Sequence, residues 1–165
     1  IIKIEENNIN GGSFRIFCDK SPGKSIKFKE KTELRHIKTF IKNVEDNKNK
    51  FLNFYKKESK KGKKFMIYGA STKGNTVLQY YKIDSKMIKY AADRTPAKWG
   101  KYTIGTGVKI ISEKLSRKFN PDYQVVMPYG FIKEFVAREK KWLKSGGKFI
   151  LPYPKFKVIS HKQII

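Results

Sequence analysis

Between Lys64 and Asp93 the chain spells out one supersecondary unit. The apolar run Phe65–Tyr68 ends at Gly69 and passes through Ala70, Ser71, Thr72 and Lys73 to Gly74. Asn75 and Thr76 follow, and apolar residues resume at Val77-Leu78, where the pattern predicts a helix start. About twenty residues on, Ile88–Ala92 forms a second apolar run that ends in Asp93. Strand, glycine turn, helix, strand and terminal acid is the order of a nucleotide-binding βαβ unit.

The rest of the chain extends this alternation. A long loop over 94–107 carries Pro96 and three glycines. Val108–Ile111 is a short apolar stretch, with Ser112 capping a brief helix over Glu113–Lys118. Tyr123–Met127 reads as a central strand closed by Pro128. Gly130–Lys144 reads as one amphipathic helix, stopped by Gly146-Gly147, and Lys148–Leu151 as the next strand. Val158-Ile159 is expected at a sheet edge. Such alternation predicts a three-layer α/β sandwich with a mainly parallel sheet. Its ligands are expected outside the carboxyl ends of the strands. That placement groups residues 69–75, 93–98, 105–107 and 128–131 at one crevice.

The first third reads differently. Ile2 and Ile4 alternate with charged residues, turn formers fill 7–12, and Phe14, Ile16 and Cys18 alternate on a return strand. An isolated hairpin is marginal in water, so this one is expected to join a larger sheet of another domain. Cys18 is expected to be a small buried hydrophobe. Residues 32–60 predict one long helix with Leu34, Ile37, Ile41, Val44, Phe51 and Tyr55 on its packed seam, Thr32 as cap and Gly62 past the end. The expected organisation is a hairpin over 1–20, a linker and long helix over 21–62, and an α/β domain over 63–165.

Composition narrows the function classes. The net charge of +24 invites a nucleic-acid reading, yet of 38 basic residues only Arg15, Arg35, Arg94, Arg117 and Arg138 are arginine. Arginine is the preferred planar reader of phosphate and guanine, so a lysine-rich solvated surface is favoured and nucleic acid is not the expected partner. Residues 24–64 hold 15 basic and five acidic side chains, which suit a solvated outer face or else a membrane-surface or acidic-partner role. No apolar run approaches the ~20 residues of a membrane span. The first residues turn charged at once, unlike a secretory leader, and a cytoplasmic setting is expected. The chain begins without Met and is expected to be a piece of a longer protein. A single cysteine excludes an internal disulfide and a cysteine-cluster zinc site.

The glycine turn matches the first and third positions of G-x-G-x-x-G, but Ser71 replaces the glycine that lets backbone approach a pyrophosphate. Asn75 stands where a P-loop carries its lysine. What remains is a turn of backbone N–H groups around Gly69, Ser71 and Gly74, with Lys73 at a helix N-terminus. That set suits an anionic group, or else a turn that needs glycine only for geometry. Asp93 at a strand end suits sugar hydroxyls, with Arg94 and Lys98 beside it for diphosphate charge; a plain acidic cap is the alternative. Tyr129 suits stacking on a base or sugar, or simple packing at a rim. His36 and His161 have no evident partners, and no catalytic set assembles.

Taken together, Gly11–Phe17, Tyr68–Thr76, Asp93–Pro96 with Lys98 and Gly100, Ile104–Thr106 and Gly146–Ile150 resemble a known family. The resemblance, over about residues 9 to 159, is to the C-terminal domain of the SAM-dependent C-methyltransferases of deoxysugar biosynthesis. It implies a Rossmann-like fold that helps hold a nucleotide diphosphate sugar. Ser71, Lys73, Asn75, Asp93, Arg94, Lys98 and Thr106 inherit that role by resemblance. It also implies upstream zinc-binding and SAM-binding domains that carry the catalytic groups, with residues 1–20 as the end of the SAM domain's sheet. The chain alone is then expected to be inactive. Asn10, Ile104, Gly107 and Tyr129-Gly130-Phe131 depart from the family's usual residues.

Overall fold

The structure is a computed structural model that describes residues 1–9, 12–20, 23–27 and 34–163. The expected Thr32 cap, together with Asn10 and Gly11 of the hairpin turn, lies outside the described residues. The chain divides into two units, Ile1–Thr39 and Phe40–Ile165.

In the first unit, β1 (Lys3–Asn7) pairs antiparallel with β2 (Ser13–Phe17), with Lys3 opposite Phe17 and Asn7 opposite Ser13. The Asn7 side chain organises the turn by accepting from the Ile9 amide at 2.9 Å and the Ser13 hydroxyl at 2.7 Å. The expected hairpin is therefore present. Cys18 falls just past β2 and is exposed, which corrects the expectation of a buried side chain.

The second unit is built on a six-stranded sheet in the order β5-β4-β3-β6-β7-β8. The strands are β3 (Phe65–Tyr68), β4 (Tyr90–Asp93), β5 (Lys109–Ser112), β6 (Tyr123–Val126), β7 (Lys148–Leu151) and β8 (Lys157–Ile159). The first five run parallel, and β8 closes the edge antiparallel to β7. This is the mainly parallel sandwich expected from the alternation. Period-two alternation separates two cores. Ile67, Val125 and Ile150 face one, with Phe51, Leu78 and Tyr81; Met66, Tyr68, Val126 and Phe149 face the other, with Phe135 and Leu143.

The helices refine the sequence reading. Helix α1 (Leu34–Ser59) has the expected length, but Leu34, Ile37 and Ile41 of the expected seam are exposed. Burial begins further on, with Asn47, Phe51 and Glu58. Each buried polar group has partners: Asn47 bonds Pro154 O at 2.7 Å and the Phe156 amide at 2.8 Å, and Glu58 accepts from Tyr123 Oη at 2.9 Å. Helix α2 (Thr72–Tyr81) starts five residues before the expected Val77, because Ser71 caps it. Ser112 caps α3 (Glu113–Phe119) as anticipated. The single helix expected over 130–144 is two, α4 (Ile132–Arg138) and α5 (Lys140–Lys144). They break at Glu139, which is 3% exposed and turns inward to accept from Tyr68 Oη at 3.0 Å and Arg117 Nε at 3.1 Å. Among the described residues no helix is long and apolar enough to cross a membrane.

Candidate functional site

The sheet order reverses between β3 and β6, so a crevice forms where their following loops diverge. Gly69 opens it with φ +86° and donates its amide to Ala92 O at 2.7 Å. A Cβ on Gly69 would stand 2.5 Å from Pro128 Cδ, so the Pro128 ring occupies that space. Gly74 has a different task. A Cβ there would lie 2.7 Å from Met127 Cβ, so this glycine lets the first turn of α2 press onto the chain after β6. Ser71 accepts from the Gly74 amide at 3.1 Å, and the Asn75 amide bonds Ser71 O at 3.0 Å. The Asn75 Oδ1 atom is buried without a hydrogen-bond partner.

The charged residues of the crevice are engaged with one another. Asp93 accepts from the Ala70 amide at 2.9 Å, the Thr95 amide at 2.8 Å and Lys98 Nζ at 3.2 Å. Burial works to raise its carboxyl, but the Thr95 bonds and the Lys98 ammonium outweigh it and hold the group below the ordinary carboxylate value. Lys98 Nζ also donates to Ala70 O at 2.8 Å. Asp93 and Lys98 thus clasp the glycine loop from both of its peptide faces. Arg94 pairs with Glu134 at 3.0 Å, and Glu134 also meets Arg138 at 3.4 Å. Arg138 reaches Glu113 at 3.3 Å, and Glu113 meets Arg117 at 3.4 Å. Three of the five arginines in this lysine-rich chain therefore stand in one ladder beside the crevice. The cavity left over is about 210 Å³, bounded by Tyr68, Gly69, Asp93, Arg94, Pro128 and Arg138.

On the other side of the glycine turn, within the second unit, lies a larger groove of about 630 Å³. Lys73, Thr76, Val77 and Tyr80 form one wall, at the i, i+3, i+4, i+7 spacing of a helix face. Phe40, Ile41, Val44 and Asn47 of α1 form the opposite wall. Tyr129, Tyr153 and Pro154 close the floor, with the Tyr129 and Tyr153 rings edge to face at 5.2 Å. The floor is held independently of any ligand. The Tyr153 hydroxyl donates to Met127 O, and the Tyr81 hydroxyl to Pro152 O at 3.0 Å. Burial pushes both phenols up to about 12. At the far end the Tyr80 hydroxyl donates to Glu45, and Lys48 Nζ sits 4.7 Å from the Tyr80 ring centre.

The residues singled out from sequence therefore divide. Gly69, Asp93 and Arg94 border the small crevice, and Lys73 and Tyr129 line the groove. Ser71, Gly74 and Lys98 shape the loop between. Thr106 joins neither group, and the expected convergence of 105–107 on the crevice does not occur. Its hydroxyl is buried against Thr103 at 2.7 Å, and its carbonyl accepts from the Ser85 amide at 3.0 Å. Ser85 precedes β4, so this loop sits at the amino ends of the strands, opposite the crevice. Sequence reasoning missed the α1 wall, where Phe40, Val44 and Asn47 recur at helical spacing, and it missed the clasp role of Asp93 and Lys98.

A mainly parallel sheet, its reversal point and a capped glycine turn define a Rossmann-like domain. Residues 8–154 match the family described as C-methyltransferase C-terminal domain, and the chain belongs to that family. It is similar to C-methyltransferase NovU of Streptomyces niveus, with 34% identity over 99 residues, 60% of this chain and 24% of that protein. The chain thus spans about a quarter of the length of that curated relative.

Proposed function

We propose that the chain is the sugar-nucleotide-holding part of a SAM-dependent C-methyltransferase acting on a nucleotide-linked keto-deoxysugar. The observation that carries this reading is the meeting of Lys73, in the first turn of α2, and Tyr129, in the segment after β6, in one groove. A cation in the first turn of a helix suits phosphate, and an aromatic floor suits a ring. The family membership and the likeness to a C-methyltransferase support the reaction class.

SAM would supply the methyl group, but the crevice of this domain does not fit it. Pro128 fills the approach to Gly69, the Asp93 carboxylate is already bonded, and about 210 Å³ falls below the usual size of a cofactor pocket. Among the described residues, no cluster of histidine, cysteine and carboxylate groups fits a zinc ion either. On this reading SAM and zinc belong to upstream domains, the β1–β2 hairpin completes the sheet of the SAM domain, and residues 63–165 form the second Rossmann-like domain. The exposed Phe14 and Ile16 of β2 support the hairpin's part in this.

The test is the sugar-nucleotide KM of the intact enzyme with and without the lysine. Lys73→Ala raises KM about tenfold, the loss of one charge-assisted contact. Equal KM values would remove Lys73 from the site.

A further inference from the structure

We infer that the groove between α1 and α2 seats the nucleoside end of the ligand, with its aromatic base between the two helices and its diphosphate leaving past Lys73. This rests on the sugar-nucleotide reading and adds to it an orientation and an unassigned wall.

Size is the first ground. The groove, at about 630 Å³, falls in the range of small-molecule sites, and the crevice, at about 210 Å³, does not. The chemistry of the lining decides which end of the ligand enters. Phe40, Ile41, Val44, Val77 and Tyr129 present apolar and aromatic surface. A hexose placed there would leave most of its hydroxyls without partners, which costs about 1–3 kcal/mol for each buried group. A planar base loses little and gains stacking area. Its few polar edge atoms can meet Asn43 and Thr76, which line the same groove.

Charge fixes the direction. Lys73 stands at one end of the α2 wall, and the Tyr80–Glu45 contact closes the other. A ligand with an apolar ring and an anionic tail fits such a groove in one orientation. The sugar would then project beyond the rim, where a second domain can reach it. Phe40 and Ile41 are 67% and 56% exposed, and a seated base would cover them.

The experiment titrates the chain with UDP, TDP and inorganic pyrophosphate, followed by calorimetry or amide chemical shifts. Val44→Trp fills the groove, and Phe40→Ala, at an exposed position, removes a wall without touching the core. With melting temperatures matched to the parent chain, both weaken the nucleoside diphosphates at least tenfold and leave pyrophosphate unchanged. Lys73→Ala weakens all three. If neither wall substitution changes nucleoside diphosphate affinity while Lys73→Ala does, the groove assignment is overturned and the anion reading stands. If Lys73→Ala changes nothing, the sugar-nucleotide reading itself fails at this site. Absence of UDP and TDP binding overturns the inference, as does a chain dimer that Val44→Trp dissociates, which would give the groove to a second copy.

Discussion

Two concavities flank one glycine turn and have opposite characters. The crevice beside Gly69 is narrow and charged, and its charges are matched internally: Asp93 with Lys98, Arg94 with Glu134, Arg138 with Glu113. The groove beside Lys73 is three times larger, mostly apolar, and braced by phenols bonded to backbone carbonyls. Open sheets of this type bind ligands at the reversal point. Here that point is filled by Pro128 and self-paired charge, and the room for a ligand lies one helix face away.

Raising the pH should have the largest effect, acting on buried phenols at both places: Tyr81 and Tyr153 beside the groove, and Tyr68, raised further still, beside the crevice. Tyr81 and Tyr153 have phenols pushed up to about 12, so their share of stability is intact below the ordinary tyrosine value of about 10. It is lost as pH climbs through about 12, at about 1.4 kcal/mol per pH unit for each phenol that stays neutral while its unfolded counterpart ionises. Melting curves from pH 9 to 12 should therefore fall steeply, and a flat profile would mean the phenols are not held in this way. The next largest effect is on the crevice. Gly69→Ala combines a Cβ 2.5 Å from Pro128 with a left-handed backbone, and should cost about 3 kcal/mol in urea unfolding. A cost under about 0.5 kcal/mol would show that Pro128 can yield.

Asp93→Ala comes third. It strands the Ala70 amide and Lys98, and should cost about 2 kcal/mol. The same carboxyl sits below its ordinary value, so its contribution is present above pH ~4 and is lost as pH falls further. Acid should thus loosen the Asp93 clasp. An acid transition unchanged in Asp93→Ala would contradict this role. Smallest is Arg94→Ala: its pair with Glu134 is open to solvent, and the unfolding free energy should move by no more than about 0.5 kcal/mol. A loss of about 2 kcal/mol would make the arginine ladder a principal brace rather than a trim.

The parts legible in the sequence were those set by local pattern. Apolar runs marked β3, β4, β6, β7 and the edge strand β8, whereas β5 was not distinguished as a strand from the loop before it. The start of α2 was misplaced because the reading waited for apolar residues, although Ser71, three residues before the amide it caps, already begins the helix. The packed side of α1 was placed correctly at Phe51 and Tyr55 but extended too far toward Leu34, because the contacts that decide where burial starts are distant. Asn47 is buried by partners over 100 positions away, and its apolar neighbour Ile41 is left outside. Glu139 split one helix into two for the same reason, since a charge is drawn inward only where Tyr68 and Arg117 wait for it. Lys73 and Tyr129, singled out from their positions after strands, line one groove. Thr106 was given its role by resemblance, and its loop lies at the amino ends of the strands, away from the crevice.

The hairpin carries a practical consequence. β1 and β2 make a sheet of two strands, with Ile2 57%, Phe14 59% and Ile16 45% exposed. Such a ribbon is a template on which further copies can stack edge to edge. What opposes stacking is mutual repulsion between chains of net charge +24. Added salt shortens the reach of that repulsion to a few ångströms and leaves the apolar surface as it was. Turbidity of the chain on its own is therefore expected to rise with added salt, which light scattering across a salt series would check.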